Sequence, residues 1–164
     1  MTNEEGGSEV MYKNQRGITL IALAVTIIVM LILTAIGVST GMSIIKTANL
    51  QELSTNMLLV QARAKVAAEK YNFDQDLNNL IGEPIDTSSI AQIQGATDLT
   101  YKLGQNELNT MGLRNLNLKS GEYFVVDYGN LDVEVWYLPN GFKYKNNIYY
   151  KLSEISQINI NEEI

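Results

Sequence analysis

From Ile18 to Ile45 the chain carries no charged residue, and the pattern changes kind on either side. Upstream, residues 1–17 are polar, with Glu4, Glu5 and Glu9 early and Lys13 and Arg16 late. The block ITLIALAVTIIVMLILTAIGVSTGMSII follows, and Lys46 closes it. A helix rises about 1.5 Å per residue and the hydrocarbon core of a bilayer is about 30 Å thick, so roughly 20 residues span it. The block is longer than that and predicts a transmembrane helix. A buried core helix is the poorer reading, because so short a chain has no protein layer to surround it on all sides. Lys13 and Arg16 precede the block and only Lys46 lies close behind it, which orients the N-terminus to the cytoplasm and the bulk of the chain outside. A secretory signal peptide has an apolar stretch of about 7–15 residues and then a small-residue cleavage site. This block is too long for one, and Gly37-Val38-Ser39 is a poor, badly placed match.

The helical pattern continues past the block. Thr47 to Tyr71 has no Pro or Gly and is rich in Ala, Leu, Gln, Glu and Lys, all strong helix formers. Leu50, Leu53, Met57, Val60, Ala64 and Ala67 recur at helical spacing. The two stretches read as one helix from about Thr19 to about Asn72, roughly 80 Å long, expected to loosen near Gly37 and Gly41. These two glycines are four apart and share a face, where a neighbouring backbone could approach closely. They are the candidate helix-packing positions, although a membrane helix also tolerates glycines without such a role.

The remainder is expected to be a small head. Residues 73–120 look irregular: Asp74 is placed to cap a short helix through Leu80 that Gly82 and Pro84 end, Ser88 to Gln94 suits another helical turn, and Asn106 is placed to cap a helix to about Leu113. The strand signal begins at Gly121. Glu122 to Tyr128 and Leu131 to Leu138 flank Gly129-Asn130 as a two-residue hairpin would, and Phe142 to Lys145 and Ile148 to Leu152 flank Asn146-Asn147. A three- or four-stranded antiparallel meander follows from this, with a tail from Asn159 to Ile164. Leu131, Val133, Val135 and Tyr137 should face the outer half of the long helix, and Asp132, Glu134 and Trp136 the other side. The fold class is thus α+β: a long N-terminal helical spine packed against a small β-meander head. The expected divisions are residues 1–17, 18–45, 46–72, 73–120 and 121–164.

Composition narrows the chemistry. The chain has no Cys, so disulfides and thiolate metal sites are excluded, and no His, which removes the commonest general base and metal ligand. A net charge of −6 argues against a phosphate-tracking nucleic-acid binder. Asp127, Asp132 and Glu134 bear on acid catalysis or calcium, but no EF-hand loop accompanies them and alternating acids on a strand usually mark a solvated face. The tyrosines between Tyr123 and Tyr150 could stack on a ligand, yet Tyr is also a favoured strand residue with an apolar body and a wet tip. No catalytic residue, metal site or cofactor is expected, and the chain reads as a non-enzyme.

The junction reads Lys13-Asn14-Gln15-Arg16-Gly17-Ile18-Thr19-Leu20-Ile21-Ala22-Leu23. It resembles the signal of type IV prepilins and of the pseudopilins of secretion and competence systems, in the GITLIAL form frequent in Gram-positive anaerobes. The resemblance covers about the first third of the chain. It implies a prepilin peptidase that cuts between Gly17 and Ile18, removing residues 1–17 as a leader, and N-methylation of Ile18. It further implies that the helix is kept as anchor and polymerisation element, that other pilin or pseudopilin subunits and membrane lipid are the partners, and that the head is displayed outside the cell membrane on a filament. The family usually has Glu at the fifth residue after the cut, where this chain has Ala22. In the family that carboxylate is thought to pair with a neighbour's terminal amine, as a buried charge requires. The substitution fits either a lineage that dispenses with the acid or a minor tip subunit, and it sets a membrane-tethered binding module beside the filament subunit as the alternative function.

Overall fold

The structure, a computed structural model, describes the backbone of residues 7–160 and, within the first helix, the side-chain surroundings of residues 20–35 and 41–74. Two compact units divide it, Met1–Lys46 and Thr47–Ile164. The chain is α+β, with one long helix and a small antiparallel sheet.

Helix α1 runs Gly7–Asp74 without a break, including at Gly37 and Gly41, where loosening was expected. It begins well before Thr19 and ends two residues past Asn72. The side chains described in its first-unit part, residues 20–35 and 41–46, belong to the apolar block and to Lys46 that closes it. In the second unit the helix turns amphipathic, and Leu50, Met57, Val60, Ala64, Ala67 and Ala68 are buried with Leu53 and Tyr71 packed beside them. Steps of three and four residues keep that stripe on one face. Asp74 closes this helix instead of capping the next. Its carboxylate accepts from the Asp76 amide at 3.0 Å and from the Asn79 side chain at 2.8 and 2.9 Å. Asp76 is the residue that caps the following 3₁₀ turn, Leu77–Asn79.

The head sheet has four antiparallel strands in chain order: β1 Glu83–Pro84, β2 Thr100–Leu103, β3 Tyr123–Asp127 and β4 Glu134–Leu138. It is a meander, but its first two strands precede Gly121, where the pattern placed the start of the sheet. The expected third and fourth strands form a separate hairpin, β5 Phe142–Tyr144 and β6 Asn147–Tyr149. A lone bridge between Trp136 and Lys151 and a Tyr137-to-Tyr150 backbone bond of 2.9 Å link β4 to the chain just beyond β6.

Helix α2 spans Gln105–Thr110, with Gly104 and not Asn106 as its N-cap. The Glu107 carboxylate reaches back to the Gly104 amide at 2.9 Å, which fixes the start one turn ahead of Leu108. The Ser88–Gln94 stretch forms two 3₁₀ turns, Thr87–Ser89 and Ala91–Ile93. Helix α3, Leu152–Ile155, was expected as strand end and loop. Leu152 and Ile155 are buried there, and Ile160 in the expected tail packs on the same core.

Two cores sandwich the sheet. Tyr101, Leu103, Phe124, Val126, Val133 and Val135 face the α1 stripe, as strand alternation requires. Val125, Trp136 and Leu138 point the other way and are covered by Ile85, Ile90 and Ile93 of the irregular segment. Trp136, placed on a solvated face by the sequence pattern, is therefore 3 % exposed.

The β3–β4 connection is a six-residue loop, because Asp127 pairs with Glu134. Gly129-Asn130 is not a two-residue turn. Gln61 of α1 donates to the carbonyls of Asp132 (3.0 Å) and Val133 (3.1 Å), and Val133 takes a positive φ of 52° that turns its side chain into the core. Leu131, expected in that core, is left 97 % exposed.

Candidate functional site

The first unit presents an unusual helix surface. Between Ile27 and Leu33 every side chain is at least 47 % exposed, and all are Ile, Val, Met or Leu. Seven residues make two helical turns, so no face is polar. Leu20, Ile21, Leu23 and Val25 continue the surface upstream. The polar side chains among residues 20–35 are Thr26 and Thr34, and each hydroxyl donates to a carbonyl of its own helix: Thr26 to Leu23 at 2.8 Å, Thr34 to Met30 at 2.7 Å. Each hydroxyl proton and backbone donor thus has its partner inside the helix, the condition a non-aqueous surrounding imposes. Residues 20–35 alone fall short of the roughly 20 that a span takes. Among the described residues no helix is long and apolar enough to cross a membrane.

The four residues picked out from sequence fare differently. Gly41 lies on an open face of the helix, where a Cβ would meet nothing within 4 Å. Gly17, Ile18 and Gly37 lie on the α1 backbone, and their surroundings fall outside the described residues. Ala22 is exposed within the apolar surface and brings no charge to it.

The second unit contains a cleft of about 430 Å³. One wall is a face of α1, Asn49, Glu52, Leu53 and Asn56, at i, i+3, i+4 and i+7. The opposite wall is the loop around Asn117 and Lys119, which Gln105 pins by donating to the Leu116 carbonyl at 2.7 Å and accepting from the Leu118 amide at 2.9 Å. Tyr137 and Phe142, both partly exposed, line it, and Phe124, 2 % exposed, backs Tyr137 with ring centroids 5.6 Å apart. Glu122 ties these parts together. Its carboxylate accepts from the Lys119 amide at 3.1 Å, from Asn140 Nδ2 at 3.0 Å and from the Tyr137 hydroxyl. Partial burial works against its charge, but the bonds from Tyr137, Asn140 and Lys119, with the Lys119 ammonium, hold it below the usual carboxylate range. Burial, the bond to Glu122 and the Glu122 charge push the Tyr137 phenol up. No sequence motif pointed to this cleft. Polar residues on the α1 face that flanks the apolar stripe were its one visible trace.

The three carboxylates weighed for catalysis do not converge. Asp127 is buried and accepts from the Thr97 amide at 3.0 Å, the Thr97 hydroxyl and the Gly129 amide at 3.0 Å. Asp132 is exposed, and Glu134 accepts from the Ser153 amide at 3.3 Å, at the start of α3. Among the described residues no three His, Cys, Asp or Glu side chains gather as a metal site. The tyrosines are dispersed: Tyr128 is buried, its hydroxyl donating to the Ile81 carbonyl at 2.7 Å, while Tyr123 and Tyr144 lie under the ammonium groups of Lys102 and Lys145 at 4.6 and 5.3 Å.

The chain matches no family model, no characterised protein and no solved structure.

Proposed function

We propose that this chain is a non-enzymatic structural subunit, a pilin or pseudopilin, of a type IV pilus-like filament or a related secretion or competence apparatus. The observation that carries the reading is the helix surface of residues 20–35, apolar on every face with both hydroxyls bonded to its own backbone. Water is a poor solvent for such a surface. Lipid suits it, and so does a bundle of like helices. The uncharged run that carries this surface starts at the Gly17-Ile18 junction, whose sequence resembles a prepilin cleavage site. With the uncharged run extending to Ile45, the block crosses the cell membrane, N-terminus inside and head outside, until the processed subunit enters a filament.

A minor tip subunit, or a tethered binding module, is the second reading. Ala22 favours it, because a subunit with nothing above it has no neighbouring amine to neutralise.

Mass spectrometry of the full chain made in cells with an active prepilin peptidase tests the proposal. The expected species begins at Ile18 and carries one extra methyl. Gly17→Val should leave the full-length mass in nearly all molecules, since a β-branched side chain obstructs an extended fit in the protease cleft where glycine does not. Persistence of residues 1–17 in the parent chain under those conditions rejects the reading.

A further inference from the structure

We propose that the cleft between α1, the Asn117–Lys119 loop and the Asn140–Phe142 turn binds a neutral carbohydrate. The inference does not rest on the filament reading. The cleft volume, about 430 Å³, lies within the range of roughly 300–1,000 Å³ typical of small-molecule sites. Its apolar lining is Leu53, Tyr137 and Phe142, each partly exposed, with the buried Phe124 behind Tyr137. The walls are amides. The side chains of Asn49, Asn56 and Asn117 make no hydrogen bond among the described residues, and each offers two donors and an acceptor.

Ligand classes separate on that lining. A purely apolar molecule would dehydrate the amides without pairing them. An anion would meet Glu52 and Glu122, against the one ammonium of Lys119. For a cation, Glu122 is a poor ligand, because its carboxylate already accepts three hydrogen bonds. What remains is a neutral molecule with an apolar face and hydroxyls at its edge. A pyranose ring has both: axial C–H bonds lie flat on an aromatic ring, whose face is electron-rich, and each equatorial hydroxyl donates one bond and accepts others. Asn49, Glu52 and Asn56 follow one helix face and present acceptors and donors in a row about one turn apart. The site is also preformed. Gln105 fixes one wall and Glu122 fixes Tyr137 against the turn, so a ligand need not order either.

The test uses the full chain in a detergent without a sugar headgroup, on an array of neutral, sialylated and uronic-acid oligosaccharides, with soluble competition to separate free from surface-linked sugars. Selective retention by neutral oligosaccharides is expected, at an affinity near roughly 1 mM for the short forms. Asn56→Leu and Phe142→Ala should each weaken it at least about tenfold, the loss of one good contact. Asn106→Ala, outside the cleft, should not change it. The single tryptophan, Trp136, lies in the second core, away from the cleft, so an unchanged Trp136 emission separates lost binding from lost folding. Retention only of acidic sugars, retention of none, or neutral binding unmoved by both cleft variants overturns the proposal.

Discussion

A carboxylate that is 1 % exposed must be neutral or be held by donors, and Asp127 is held. The Thr97 amide and hydroxyl and the Gly129 amide converge on it, tying the β3 end to the strand-less segment before β2. Its removal leaves the Thr97 amide and hydroxyl and the Gly129 amide, all part-buried, without this acceptor. Asp127→Ala is therefore expected to lower stability by about 2–4 kcal/mol, read as a shift of the urea midpoint by Trp136 fluorescence, with Asp127→Asn costing less because an amide oxygen still accepts. A change below about 0.5 kcal/mol, the range of ordinary surface substitutions, would mean that water replaces these bonds. Sequence reasoning set Asp127 beside Asp132 and Glu134 as a solvated face. Alternation along one strand cannot show that a second layer lies above it, nor that the partner is Thr97, 30 residues earlier. Ile85, Ile90 and Ile93 form that layer, and they also bury Trp136. The cleft was hidden for the same reason, since Glu122, Tyr137 and Asn56 come together only through the tertiary fold.

Elements were legible where the period is long and sustained. The stripe from Leu50 to Ala67 keeps its spacing over five turns, and all six of its members reach the core, Leu53 only in part. That stripe has a small side chain at Ala64, which is fully buried in the core. Ala64→Leu should overpack that position and cost about 1–3 kcal/mol, while Ala62→Leu, on the exposed side of the same turn, should stay within about 0.5 kcal/mol; thermal unfolding of the two variants side by side decides it. Equal effects would sink the assignment of faces. Strands were harder. Thr100–Leu103 is four residues long, and its hydrogen bonds go to β1 and β3, elements that local pattern cannot supply. The Gly129-Asn130 pair carries a genuine hairpin signal. It lost to Gln61, whose amide holds the carbonyls of Asp132 and Val133 and lengthens the loop.

At the scale of the whole molecule, two units obey different solvation rules. Residues 47–160 gather two cores of buried apolar side chains, whereas the described part of the apolar block has no buried side chain and exposes its apolar groups on all sides. If the block resides in lipid, the full chain should stay with the membrane fraction through high salt and leave only with detergent, because its hold is apolar and not electrostatic. Ile28 and Ile32 are four apart, about one turn, near the middle of the uncharged run Ile18–Ile45, both more than half exposed. A carboxylate at the centre of a membrane helix costs about 2.5–3.5 kcal/mol, so Ile28→Asp with Ile32→Asp should oppose insertion by about 5–7 kcal/mol and move the chain into the soluble or aggregated fraction. The core of residues 50–160 contains neither position, so its Trp136 emission should be unchanged in the same variant. That pairing separates the rival accounts: a double variant still retained by membranes shows that the block is held by something other than lipid, and a variant that loses both retention and Trp136 burial shows that the block supports the head's folding rather than its anchoring.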